Sequence, residues 1–92
     1  MKRLTDDQLM KLMIVSQDMV PAGYVIRHVR TGAEYMVRGH ALRVGDLGLL
    51  VNYSPLTGPV VIFCRTAADI RAKFVRSDGK AWTAPNPAQA DQ

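Results

Sequence analysis

Two histidines, one cysteine and a single glutamate are the residues of this chain that could support covalent, metal or acid–base chemistry. His28, His40 and Cys64 would supply three zinc ligands, but the histidines stand twelve residues apart and no second cysteine or paired motif accompanies them. A nucleophilic Cys64–His28 pair would need an exposed thiol in an electropositive niche. Cys64 instead ends the most apolar run of the chain, Val60-Val61-Ile62-Phe63-Cys64, and reads as a small buried hydrophobe. Paired carboxylates are missing, because Glu34 is the only glutamate and the aspartates fall in caps and turns. Gly45 and Gly48 frame Asp46 without the lysine of a phosphate-binding loop. The inventory points away from an enzyme, and neither metal nor cofactor is expected.

Arginine is the better represented chemistry. Residues 24–82 hold nine basic side chains against four acidic ones, an excess of five, whereas residues 1–20 balance. Such an excess favours an acidic partner. The strongest constellation is Arg27, His28 and Arg30 with Tyr53 and Arg65, since the planar guanidinium fork binds carboxylates or phosphates at two points. An acidic protein surface is the preferred partner and a nucleic acid the alternative. Aromatic rings for base stacking are scarce, because Tyr24, Tyr35, Tyr53 and Trp82 suit a core equally well. The competing reading has Arg27 and Arg65 bridging Glu34 or Asp69 and merely fastening the fold. A third has the first helix forming a homodimer, since Met10, Met13, Ile14 and Met19 widen its apolar stripe.

The elements that must position these residues follow from local pattern. Ninety-two residues, 48% hydrophobic and 22% charged, suit one domain, expected over residues 1–84, with 85–92 as a disordered tail. Thr5 and Gln8 have the spacing of a capping box, Leu4 and Leu9 that of a hydrophobic staple, and Val20-Pro21 ends the segment. A helix over about 6–16 is expected. Extended, β-branched runs separated by Arg30-Thr31-Gly32-Ala33, Val44-Gly45-Asp46-Leu47-Gly48 and Ser54-Pro55-Leu56-Thr57-Gly58-Pro59 predict four strands, the last being Val60–Cys64 in the core. Thr66 caps a helical turn before Phe74, and Ala81-Trp82-Thr83 reads as a final strand. The fold class is all-β to α+β: one N-terminal helix, then a small SH3-like antiparallel barrel over about 24–83. Its expected core is Val25 or Ile26 with Tyr35, Val37, Leu49, Val51, Val61, Phe63 and Ile70, helped by Leu9 and Leu12. A lone cysteine excludes an intrachain disulfide and suggests a reducing, cytoplasmic compartment. Charges interrupt the N-terminal apolar stretch, so no signal peptide is expected, and no apolar run reaches membrane-spanning length.

About half the chain, Tyr24 to Phe74, resembles the short bacterial and bacteriophage proteins of the domain-of-unknown-function family numbered 1653 and its phage-encoded relatives. The residues that carry the resemblance are Arg27-His28, Thr31-Gly32, Tyr35-Met36-Val37, Leu50-Val51 with Tyr53, Phe63-Cys64-Arg65 and the turn ending at Phe74. Where that family has Trp-Val-Arg-Pro, Phe63 stands for the tryptophan and Thr66 for the proline. The resemblance implies an SH3-like barrel of no established activity. Its members are often phage-encoded, and the preferred reading here is a phage or mobile-element accessory protein that docks on a host protein through the basic barrel face, with inhibition of a defence or regulatory system as one outcome.

Overall fold

In the computed structural model, which describes residues 4–82, the chain opens with α1 (Asp6–Met19). Its first turn is closed by the expected capping box: Thr5 Oγ1 accepts from the Gln8 backbone N–H at 3.2 Å, and Gln8 Oε1 accepts from the Thr5 N–H at 2.9 Å. The helix runs one turn further than its apolar stripe suggested. Val20 still donates to the Ser16 carbonyl before Pro21 ends the ladder. Ser16 and Met19 are buried and Val15 packs beside them, while Met10 and Ile14 stay exposed.

Five strands follow, β1 (Val25–His28), β2 (Glu34–Leu42), β3 (Leu49–Pro55), β4 (Phe63–Thr66) and β5 (Phe74–Arg76), with α2 (Ala67–Lys73) between the last two. They form one antiparallel sheet in the order β4-β3-β2-β1-β5. The architecture is α+β. A single core takes Met19 and Val20 from the end of α1, Ile26, Val37, Val51, Tyr53 and Phe74 from the sheet, and Ala67 and Ile70 from α2.

The expected SH3-like barrel is not closed. β4 and β5 are the two edges, of four and three residues, and neither pairs with the other. The physical reason lies at Thr66. Its hydroxyl accepts from the Asp69 N–H at 3.1 Å and starts α2 immediately after β4, so a helix connects the edges where strand hydrogen bonds would have joined them. Ala67 and Ile70 then fill the space beneath.

The fourth strand also departs from expectation. Val60–Cys64 was to be buried, but β4 starts only at Phe63, and Val60, Val61, Ile62, Phe63 and Cys64 are all exposed. An edge strand has one neighbour, and the Val61 N–H turns back to the Pro59 carbonyl at 3.0 Å instead of joining a ladder. Val61 and Phe63 therefore leave the core, and Tyr53 and Phe74 occupy the positions expected of them. Leu9 and Leu12, also expected in the core, are half-buried on α1 and do not join it; Met19 and Val20 at the helix's end supply its contribution instead. Ala81 and Trp82 form no strand, and Thr83 and the expected tail lie outside the described residues.

Two stability measurements check this assignment. Thr5→Ala should cost about 1 kcal/mol of unfolding free energy, read as a lower denaturation midpoint at unchanged slope. Phe74→Ala should cost about 3–5 kcal/mol, whereas Ile62→Ala should fall within about 0.5 kcal/mol of wild type. Equal losses at the two positions would contradict the open edge.

Candidate functional site

Strand alternation decides which of the expected site residues meet. In β1, Ile26 is buried and His28 leans on the core ring of Phe74, edge to face at 4.9 Å, so Arg27 between them faces the other way. In β4, Phe63 packs against Tyr35 and Tyr53, and Arg65, two residues on, shares that face. Cys64 points to the opposite one. Cys64 and His28 thus occupy different faces of the sheet, and their pairing as nucleophile and base is not formed.

Beside the Phe74 ring, a cleft of about 360 Å³ is lined by His28, Val29, Arg30, Arg65, Ala72 and Lys73. Three of the expected residues, His28, Arg30 and Arg65, come together here. Arg27 does not; it borders a separate depression with Arg76 and Lys80. Tyr53 is 5% exposed and reaches the site only through its hydroxyl, which accepts from Arg65 Nε at 2.7 Å.

Each cationic group has its own degree of freedom. Arg65 donates to Asp69 Oδ2 at 2.7 Å while its guanidinium carbon lies 5.5 Å from the Phe74 ring centre. Lys73 Nζ sits 2.9 Å from the other oxygen of the same carboxylate. Asp69 therefore holds Arg65 and Lys73 on either side, and their hydrogen bonds keep its carboxyl below the ordinary aspartate range, Arg65 contributing most. The Arg30 side chain has no ion pair among the described residues. Its backbone is fixed instead: His28 Nδ1 accepts from the Arg30 N–H at 3.2 Å and from the Thr31 N–H at 3.3 Å. The imidazole is the internal peg of the turn that carries Arg30.

Lys73 escaped sequence reasoning, although the signal was present. A threonine cap at Thr66 starts a helix on which Asp69 and Lys73 stand four residues apart, and on which Asp69 also faces back to Arg65. The remaining basic residues are largely engaged elsewhere. Arg43 forks onto Asp46, whose carboxyl falls to about 2 mainly through that hydrogen bond. Buried Arg76 bonds Asp78 at 2.6 Å and stacks on Tyr24, and Arg38 donates to Ser54. His40 spends its Nε2 on the Val20 carbonyl at 2.6 Å. Among the described residues no three His, Cys, Asp or Glu side chains gather as a metal-binding group, and no helix is long and apolar enough to cross a membrane. Comparison with family models, with curated proteins and with solved structures finds no match.

The shared carboxylate makes a titration prediction. Because the folded-state pKa of Asp69 is lowered, its ion pairs stabilise the fold above the ordinary aspartate value of 3.8 and are lost as pH falls through the depressed one. Following its carboxyl carbon by NMR should give a midpoint below 3.8 in the wild type. Arg65→Met should raise that midpoint more than Lys73→Met does; the reverse order would assign the dominant contact wrongly.

Proposed function

We propose that this protein is a small non-enzymatic binding module that takes an acidic surface of another protein into the cleft between Arg30, Arg65 and Lys73. The observation that carries the reading is the convergence of these three cations, from a β1–β2 turn, an edge strand and a helix, around one concavity, two of them oriented by the same carboxylate of Asp69. Asp69 displays the chemistry the cleft favours: one oxygen to a guanidinium, the other to an ammonium. A partner carboxylate would extend this arrangement through Arg30, the cation left without an internal ion pair among the described residues.

A nucleic-acid reading is less well supported by the same geometry. A phosphate backbone is tracked by a continuous basic stripe with rings for stacking. Here Arg27 is on the opposite face, Tyr53 is buried, Tyr35 is half-buried and Tyr24 lies under Arg76.

The test separates capture from stability. Arg30→Glu combined with Lys73→Gln removes an unpaired cation and one exposed ion pair worth about 1 kcal/mol or less, so the melting temperature should change little. Capture of partner from nuclease-treated lysate should be abolished, and NMR shifts on adding a glutamate-rich peptide should centre on His28, Arg30, Arg65 and Lys73 in the wild type alone. Undiminished capture by the folded double variant would overturn the site. Capture lost on nuclease treatment would transfer the reading to nucleic acid.

A further inference from the structure

The two edges of the sheet are unlike. β5 has three residues, begins beside Lys73 and contains Arg76, and Asp78 and Lys80 follow within four residues. Short, charged edges of this kind resist strand pairing. β4 lacks that protection. Residues 54–64 contain no charged side chain, and the approach to the edge displays Val60 at 96% exposure, Ile62 at 57%, Phe63 at 42% and Val61 at 41%. Cys64 is exposed beside them. With β3 as its one neighbour, β4 leaves alternate N–H and C=O groups on its outer side without a strand to receive them.

We infer that the outer edge of β4 pairs antiparallel with the same edge of a second copy, joining two five-stranded sheets across a two-fold axis. An edge set against its own image satisfies both rows reciprocally, since the axis brings each donor opposite an acceptor of the other chain. Charge selects the occupant. Centred on Phe63, the pairing sets Phe63 opposite its image, Ile62 opposite Cys64 and Val61 opposite Arg65, so the central pairs are apolar on apolar and no like charges face each other. Arg65, the one charge of the strand, is already bonded to Asp69 on the core side. Residues 61–65 give five paired positions, an ordinary strand length. The contact uses the strand's hydrogen-bonding edge, and of the residues lining the basic cleft it involves Arg65 alone.

Sedimentation over a concentration series reaching about 1 mM tests this, that being the range of weak association. The wild-type chain should reach the dimer mass, and Ile62→Lys should weaken dimerisation at least about tenfold while keeping the wild-type unfolding midpoint, as its 57% exposure implies. Ile62→Cys provides the positive counterpart. The new thiol faces the image's Cys64 directly, within the Cα separation of a disulfide, so mild oxidation should give a covalent dimer that the wild type does not form. A monomer mass throughout, or failure of oxidised Ile62→Cys to cross-link, overturns the inference. So does a dimer dissociated by Ile14→Lys on α1 but not by Ile62→Lys, since that would place the contact on the exposed helix stripe.

Discussion

Between the end of α2 and the start of β5, the ring of Phe74 meets His28, Tyr35 and Tyr53 edge-on, with the Arg65 guanidinium beside it. It is 2% exposed and joins side chains from β1, β2, β3 and β4. A sheet whose edge strands do not pair has no hydrogen-bonded seam joining its two ends. Here the aromatic contacts and α2 tie both edge strands to the interior by side-chain packing. The cleft depends on the same contact: His28 is held against the ring from one side and Arg65 from the other, and α2 brings Lys73 to the rim one residue before Phe74 itself.

Local chemistry was read directly from the sequence where a few neighbouring residues settle it. The Thr5–Gln8 box, the Thr66 cap and the limits of β2 follow from spacing within four residues or from alternation between two turns. What was not legible depended on neighbours distant in the chain. An uninterrupted run such as Val60–Cys64 reads as core because apolar side chains usually find cover, yet an edge position and the turn at Pro59 leave it outside. Tyr53 and Phe74 are isolated aromatics in their own segments and gain their importance only when four strands converge on them. Closure failed for a related reason. Strand count and turn spacing suggest a barrel, but whether the last edge meets the first is decided by what Thr66 starts.

The charge excess illustrates how net charge and available charge differ. Of the basic residues between 24 and 82, Arg43, Arg65, Lys73 and Arg76 hold carboxylates of this chain and Arg38 holds a serine hydroxyl. Fastening, one of the two uses weighed for arginine, is formed at Arg43, Arg65 and Arg76, and under the proposed function Arg65 would serve both. A guanidinium already oriented by Asp69 and Tyr53 would lose little further freedom on meeting an anion, so in the proposed function the fastening would prepare the site.

The position of β1 in the sheet has a consequence for the order of assembly. β1 pairs with β2 across a turn of five residues but with β5 only after most of the chain has been made, as in the pairing of His28 with Phe74. Closing the short loop is fast and entropically cheap, whereas the long one must wait for β3, β4 and α2 to shorten the effective distance. The β1–β2–β3 meander is thus the expected nucleus, with α2 and β5 docking after it. On that order, contacts at the Phe74 junction would form after the rate-limiting barrier and govern unfolding more than folding.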